Sequence, residues 1–300
     1  MTVPVAPTLI TITTEAIKKA GFTSTGSTQY ATVLARAQSD WIEEVKWDIW
    51  TKCKKLTSLQ KLNLQEVTKG KSIYSLPTDF ASLISVSILD GDVTGTAQAG
   101  GATSITLAAA DTCTSDWAIG REIVTTGGTG PNQINQITAL DTTTKIATVA
   151  YTWETNPDAT TTYRLIEYYY PLTENAIWDY DKEGVPQTRS RPSQYHVKGD
   201  NDNGEIVLLN TPDDSYSLRT RYYADLTRLD LASATDVTIV QIYRRFKNIF
   251  IQGVYAKCLQ YNNDDRAPSE MSVYGNLLSV LEARETYGMD LSNLQMKVDD

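Results

Sequence analysis

A glycine cluster near the middle of the chain has the composition of a phosphate-binding loop. It is GGTGPNQ, at positions 127–133. A phosphate loop lies between a strand and a helix and carries a lysine that meets the phosphate. This cluster contains no lysine, and the alternating apolar and polar residues after it favour a strand. We therefore predict a turn whose glycines adopt positive φ angles, and we expect no nucleotide site and no cofactor.

The sequence contains one histidine, His196, that could act as an acid or a base. A serine hydrolase needs that base beside a nucleophile, but the sequence has no G-x-S-x-G motif. Glycoside hydrolysis needs a pair of carboxylates that face each other across a cleft. The candidates for such a pair are Glu174, Asp179, Asp181 and Glu183, whose spacing is more typical of a solvated loop. The sequence therefore predicts no catalytic residue and no enzyme.

Metal ligands are also sparse. The segment GDNDNGE, at 199–205, has three acidic residues but lacks the ligand spacing of an EF-hand loop. The three cysteines, Cys53, Cys113 and Cys258, are far apart in the sequence and form no C-x-x-C pair. We expect no metal site and no disulfide framework, with thiols that are buried in a protein made in a reducing compartment.

The charge balance argues against a protein that holds nucleic acid by its phosphates. The formal charge is −9 and the pI is about 4.8, whereas phosphate binding needs clustered lysine and arginine. Arg189 and Arg191 lie near Tyr195, but in a chain this acidic we predict that they contact protein. The sequence has no basic and apolar signal segment and no transmembrane-length apolar run. We expect the chain to be cytosolic when it is made.

Helical periodicity dominates both ends of the chain. A long N-terminal helix is predicted over about 27–54, and two C-terminal helices over about 238–261 and 269–287. Trp47 and Trp50 fall off the apolar stripe of the first helix, which indicates either a second buried face or a contact with a partner. In the last helix, the residues that recur at helical spacing are Val273, Leu277, Leu278, Leu281 and Arg284.

The middle of the chain has the composition of a small all-β module. Residues 94–162 contain nineteen threonines and two basic residues, Arg121 and Lys145. Threonine favours strands, and turn residues separate the short alternating segments, which predicts about five or six strands. The fold class that we predict is therefore α+β: a mainly helical domain with short strands, interrupted by an inserted all-β module.

Three segments outside that module carry a family resemblance. They are YSLPTDFASLISV, RPSQYHVKGDNDNGEIVLLNTPDDSYSLRTRYYADLTRL and KCLQYNNDDRAPSEMSVYGNLLSVLEARE. Together they resemble the head-to-tail adaptor proteins of short-tailed bacteriophages, also called head-completion or tail-tubular proteins. The threonine-rich module resembles a small β domain that recurs in phage structural proteins, on segments such as TAQAGGATSITLAA and GREIVTTGGTG.

The resemblance implies a discontinuous adaptor core of residues 1–90 and 165–288, an inserted β module at 91–164 and a flexible C-terminal tail at 289–300. Such adaptors form a ring, expected to be twelve-fold, beneath the portal protein of the virion. The ring extends the DNA channel, so that the genome passes without specific binding, and it holds the tail nozzle or fibres. The tail residues expected to dock on the portal are Leu291, Leu294 and Met296. Trp47, Trp50, Arg189 and Arg191 are the candidates for subunit or partner contacts.

Two other functions stay open at this point. One is a tail-associated hydrolase of cell-wall glycan, which needs the pair of facing carboxylates described above. The other is a carbohydrate-binding receptor-recognition module, in which Trp117, Trp153 or Tyr151 of the β module stacks on a sugar. These aromatic residues are more typical of a small core, and the adaptor is the function that we expect.

Overall fold

Strands, rather than helices, make up most of this fold. The computed structural model describes residues 9–23, 25–53, 55–56, 59–175, 188–199, 204–226 and 237–287. These residues contain three sheets of four, seven and four strands. The prediction of a mainly helical α+β protein is therefore wrong. Residues outside the threonine-rich module, expected to supply only short strands to a helical domain, instead form two four-stranded sheets that include strands of nine and eleven residues.

The chain divides into two compact units. Residues 1–60 and 223–300 form the first, which we call the helical unit. Residues 61–222 form the second, which we call the β unit. The predicted boundaries of the inserted module, 91 and 164, fall inside the β unit, and the module as a separate domain stays a prediction. Among the described residues, no helix is long and apolar enough to cross a membrane.

Helices occur mainly at the two ends of the chain. They are α1 (Leu9–Lys19), α2 (Thr28–Arg36), α3 (Ile42–Lys52), α4 (Ser115–Ala118), α5 (Val237–Tyr261) and α6 (Ala267–Tyr287). The predicted pair of C-terminal helices is confirmed as α5 and α6. Ser27 caps α2, because its hydroxyl accepts a hydrogen bond from the backbone N–H of Tyr30 at 3.1 Å.

The predicted long N-terminal helix is not one regular α-helix. A π-helical turn, Ala37–Trp41, separates α2 from α3. Such a turn takes in an extra residue, so the buried face of α3 is rotated relative to that of α2. This rotation explains the two off-stripe tryptophans. Trp50 falls on the buried face of α3, whereas Trp47 points to solvent.

A glycine of α5 allows close contact between three helices of the helical unit. Gly253 of α5 lies where α3 and α6 meet it. A Cβ at this position would be 2.6 Å from Val45 Cγ2 and 2.8 Å from Tyr274 Cε2. A glycine here therefore lets α5 approach both neighbours more closely than any larger residue would allow.

Fifteen strands lie in the described residues of the β unit and at its two boundaries. They are β1 (Gln60–Val67), β2 (Ile73–Ser75), β3 (Phe80–Asp90), β4 (Thr94–Thr96), β5 (Ala99–Gly101), β6 (Ser104–Thr106), β7 (Glu122–Gly127), β8 (Ile134–Asp141), β9 (Ile146–Val149), β10 (Thr162–Leu165), β11 (Tyr168–Pro171), β12 (Thr173–Glu174), β13 (Gln194–Lys198), β14 (Glu205–Leu209) and β15 (Tyr216–Ala224). The first sheet has the order β1-β15-β3-β11, so the strands by which the chain enters and leaves the unit are neighbours. The other orders are β4-β10-β7-β8-β9-β6-β5 and β12-β13-β14-β2.

The threonine-rich segment forms the seven-stranded sheet, so its β character is confirmed, with seven strands where five or six were predicted and with the four-residue helix α4 in addition. Its own core holds Ile105, Ile123, Ile137, Trp153 and Tyr163, among others. The glycine cluster is the turn between β7 and β8, with positive φ at Gly128 (72°) and Gly130 (64°), as predicted. A Cβ on Gly128 would be 2.0 Å from the carbonyl oxygen of Thr160, so the turn also requires glycine for space.

The seven-stranded sheet is joined to the first sheet by a small shared core and a buried arginine. Leu64, Leu89, Val124 and Ile166 form one buried cluster that draws on both sheets. Arg164 of β10 is 6% exposed, and its guanidinium lies 3.3 Å from Glu66 of β1 and donates to the hydroxyl of Ser217 of β15, also at 3.3 Å. Burial raises the pKa of Glu66, although Arg164 opposes this shift.

A substitution pair tests the close approach of the helices. We expect Gly253→Ala to destabilise the protein by roughly 1–3 kcal/mol, because the new methyl group overlaps Val45 and Tyr274. Gly275→Ala on α6 is the matched control, since nothing lies within 4 Å of its Cβ position. It should stabilise the helix by about 0.5–1 kcal/mol. Denaturant unfolding followed by circular dichroism measures both, and effects of the same sign would contradict the packing.

A second prediction concerns the turn before α6. The Asp264 carboxylate accepts hydrogen bonds from Arg266, from its backbone N–H at 2.9 Å and its guanidinium at 2.8 and 2.9 Å. These bonds lower the pKa of Asp264 to about 2. A lowered pKa gives stability that is present above about pH 4 and is lost as the pH falls through about 2.

An NMR titration of the Asp264 side chain should therefore have a midpoint near pH 2. Arg266→Gln should return the midpoint towards the ordinary aspartate value of about 3.9. A midpoint near the ordinary value in the unmodified protein would contradict the hydrogen bonds.

Candidate functional site

Of the residues considered for catalysis, Glu174 and His196 lie on neighbouring strands, because Glu174 pairs with Tyr195, the residue before His196; successive side chains of a strand alternate, so the two lie on opposite faces of the sheet. His196 lies on β13, paired with Val207 of β14, and Glu174 is exposed on β12. Asp179, Asp181 and Glu183 lie outside the described residues, so the hydrolase pair is not tested. In the described part of the chain, no group of three or more histidine, cysteine, aspartate and glutamate residues could hold a metal ion.

The cysteines have the character of packing residues. Cys53 and Cys258 are buried, and Cys113 is partly buried. Burial and the neighbouring Asp111 raise the pKa of the Cys113 thiol to about 12. A thiol with this pKa is almost fully protonated at neutral pH and is a poor nucleophile.

The tryptophans of α3 have different roles. Trp50 is 9% exposed and belongs to the core of the helical unit, so its side chain is not available to a partner. Trp47 is 59% exposed. Glu43 and Glu44, one turn earlier on the same face, have side chains that are 52% and 56% exposed. Trp47 therefore presents an aromatic ring with an acidic border, and its predicted partner contact stays a prediction.

The last helix has apolar residues on two faces. Tyr274, Leu278 and Leu281 are 7% exposed or less and pack in the helical unit. Val273 and Val280 are 40% and 42% exposed. The residues that recur at helical spacing do lie on one helix, but they divide between these two faces. We call the outward set of Val273, Leu277 and Val280 the α6 stripe; its two valines are exposed and Leu277 is half-buried, and Arg284 follows it one turn later.

The two predicted arginines lie beside a different tyrosine from the one expected. Arg191 lies over the ring of Tyr170 at 3.4 Å, and Tyr170 stacks on Tyr168 with 6.0 Å between ring centroids. Tyr195 is buried, at 7% exposure. Arg189 forms an isolated backbone bridge with Thr211. This stack could not be predicted from sequence, because Tyr168 and Tyr170 lie on β11 and Arg191 lies about twenty residues later, in the segment before β13. The predicted protein contact of these arginines is not tested.

A groove in the β unit contains two aromatic residues that were considered for sugar binding. It encloses about 360 Å³, between β1 and the segment that follows β9. Leu62 and Ile134 give it an apolar surface, with Leu62 45% exposed. Tyr151 and Trp153 belong to the lining, at 73% and 4% exposure. Trp117, the third aromatic considered, is not part of the groove's lining and packs against the core of the seven-stranded sheet.

Side-chain amides hold the wall of this groove in place. Asn135, 5% exposed, donates to the carbonyl oxygen of Tyr151 at 2.6 Å and accepts from the Tyr151 N–H at 3.1 Å. Gln133 donates to the carbonyl oxygen of Thr155 at 2.9 Å and accepts from its N–H at 3.1 Å. The segment that carries Tyr151 and Trp153 is therefore fixed by its backbone before any ligand is present, which lowers the entropic cost of binding.

One donor in the groove's lining has no partner. Trp153 Nε1 is buried and makes no hydrogen bond with any described residue. This nitrogen has almost no solvent-accessible surface, so it belongs to the core of the module and is not offered to a ligand in the groove. Glu154, next in sequence, is exposed and also lines the groove. The groove thus combines an aromatic ring, an apolar surface and a carboxylate.

Comparison with known proteins gives no family: no family model matches the chain, and no curated protein matches it.

The groove wall provides a test of its own. Asn135→Ala removes the partners of both backbone groups of Tyr151, so we expect a loss of roughly 2–3 kcal/mol in stability and faster hydrogen exchange at the Tyr151 amide. Thr152→Ala is the control, because Thr152 is exposed and its hydroxyl makes no hydrogen bond within the described structure. Unchanged exchange at Tyr151 in Asn135→Ala would contradict the role of the amide.

Proposed function

We propose that this chain is a structural protein of a bacteriophage virion, a head-to-tail adaptor that forms a ring between the portal and the tail. The observation that carries this proposal is the α6 stripe. An exposed apolar face beside a fully packed one indicates a helix that is covered on both sides in its working state. The partner to which we assign this second face is another copy of the chain.

Trp47 supplies the complementary surface. A ring requires two different patches on each subunit, so that one patch meets the other on the next copy. The α6 stripe ends at the cation Arg284, and Trp47 is bordered by Glu43 and Glu44. Arginine stacks on tryptophan and would compete for these carboxylates, which within one chain pair with Lys46 at 2.7 Å and with Lys257 at 2.8 Å. We therefore pair the α6 stripe of one copy with the Trp47 surface of the next.

The remaining features of the proposal follow from the family resemblance and the charge. The net charge of −9 disfavours adhesion of DNA to a channel wall, which suits a ring through which the genome passes. The partners are the portal protein above and the nozzle or fibres of the tail below, and the location is the virion. The segment expected to dock on the portal, with Leu291, Leu294 and Met296, lies outside the described residues.

Light scattering of the protein mixed with the portal of the same virion tests this function. The unmodified chain should produce a mass increase of many copies per portal. Val273→Glu with Val280→Glu should abolish it, because two buried charges would have no partner in the ring interface. The matched control is Ser272→Glu with Ser279→Glu, which adds the same charges at the same spacing on a neighbouring exposed face.

A mixture of two defective chains tests the pairing itself. Trp47→Glu and the Val273→Glu, Val280→Glu double variant each keep one intact patch. Together they should form a one-to-one pair, although neither forms a ring alone. No mass increase of the unmodified chain with its portal would overturn the adaptor function, and a ring formed by the double variant would overturn the assignment of the α6 stripe.

A further inference from the structure

We propose that β1 joins two copies of this chain into a dimer, in which the two β1 strands pair antiparallel about a twofold axis. The partner is a second copy of the chain, and the contact lies within the β unit. A ring joins two unlike patches, whereas a twofold contact joins one surface to itself. The β1 contact is therefore separate from the proposed ring interface, and we assign it to the free chain.

β1 is an edge strand of the first sheet. The order β1-β15-β3-β11 gives it β15 as its single neighbour among the described strands. The two strands are antiparallel, because Gln60 contacts Tyr223 while Asn63 contacts Thr220. The groove of about 360 Å³ runs beside β1, so the described residues leave space next to this strand.

The backbone groups of two leucines on β1 point to that open side. The carbonyl oxygen of Asn63 accepts a hydrogen bond from the Thr220 hydroxyl at 3.4 Å, so it points towards β15. Backbone groups alternate in direction along an antiparallel pair, so those of Leu62 and Leu64 point away from β15. They make no backbone hydrogen bond with a described residue outside the sheet. They are therefore free to pair with another strand.

The charges of β1 do not protect this edge. Edge strands of soluble proteins are usually guarded by charged side chains, prolines or bulges. β1 contains no proline, and its two charged residues are paired within the chain. Lys61 lies 2.7 Å from Asp79, and Glu66 lies 3.3 Å from Arg164. Leu62, at 45% exposure, instead presents an apolar side chain that a second strand would cover.

The sequence of β1 is complementary to itself, which identifies the second strand. In an antiparallel pair centred on Asn63, Leu62 of each copy lies opposite Leu64 of the other, on the same face. The outer pairs are Lys61 with Gln65 and Gln60 with Glu66, so no like charges are opposed. Moving the centre to Leu62 or to Leu64 would place the other leucine opposite a polar residue. The register centred on Asn63 is therefore the one that we assign.

Light scattering of the free chain, without the portal, tests the contact. The unmodified protein should reach twice the mass of the 33.2 kDa chain at high concentration and approach the single-chain mass on dilution. Leu62→Lys should weaken the dimer by about 10-fold or more, because a lysine on an edge strand opposes pairing. Ile146→Lys is the matched control. Ile146 is similarly exposed, at 42%, but its strand β9 has a neighbour on both sides.

Single cysteine variants test the register. Asn63→Cys places two thiols opposite each other at the twofold axis, with Cβ atoms about 4.5–5.5 Å apart, so air oxidation should join the two chains. In Gln65→Cys the two thiols are four residues apart along the strands, about 13 Å, and should remain unlinked. The native cysteines are buried or partly buried, so the unmodified chain should remain unlinked as well.

Each of three results would overturn the proposal: a single-chain mass at every concentration, a dimer that Leu62→Lys leaves unchanged, or equal cross-linking of the two cysteine variants. A dimer formed through the helical unit would give the second result. Because ring assembly is measured on the portal and this contact on the free chain, failure here leaves the adaptor function standing, and the reverse also holds.

Discussion

The β unit depends on a buried ion pair more than on any single apolar contact. Arg164 brings strand β10 of the seven-stranded sheet against Glu66 of β1 and Ser217 of β15. Removing one partner of such a pair leaves an uncompensated charge in a poorly solvated place, which is far more costly than losing the pair as a whole. One wall of the groove is β1, and the other consists of β8 and the segment after β9. Since the contact of Arg164 with Glu66 and Ser217 joins the two sheets that carry these walls, it also holds the two walls in place.

In the helical unit, geometry rather than charge is the main constraint. The π-helical turn decides which tryptophan of α3 is buried, and Gly253 decides how closely α5 meets α3 and α6. Because the tight packing uses Tyr274, Leu278 and Leu281, the other apolar residues of α6 are left outside it. The α6 stripe therefore adds nothing to the core that Tyr274, Leu278 and Leu281 form.

Sequence reasoning located the threonine-rich sheet, the glycine turn and the two C-terminal helices, because each has a strong local pattern. It failed on fold class because the pattern of a single strand does not report its partners: β15 pairs with β1 and β3, which lie far away in the chain, and the sheet that they form together was not predicted. The α6 stripe was missed for a related reason. Val273 and Leu278 both fit helical spacing, and only the packed structure separates the faces that they occupy.

Only part of the groove's lining could be predicted from the sequence. Tyr151 and Trp153 could be named as aromatic residues of the β module, but Leu62 lies far away in the chain, on β1. The unpaired indole N–H of Trp153 could not be inferred from sequence, because whether a donor has a partner depends on which described residues surround it in space. Arg191 illustrates the same limit. Its stacking partner is Tyr170 of β11, whereas the tyrosine near it in sequence, Tyr195, is buried.

The first sheet also has a consequence for how such proteins diversify. The chain enters the β unit on β1 and leaves it on β15, and these two strands are neighbours. A segment whose ends are adjacent can be exchanged for another of different length without breaking the continuity of the helices around it. Exchange at these two points would replace the whole β unit and leave the sequence of the helical unit unchanged, so the two units can vary independently of each other.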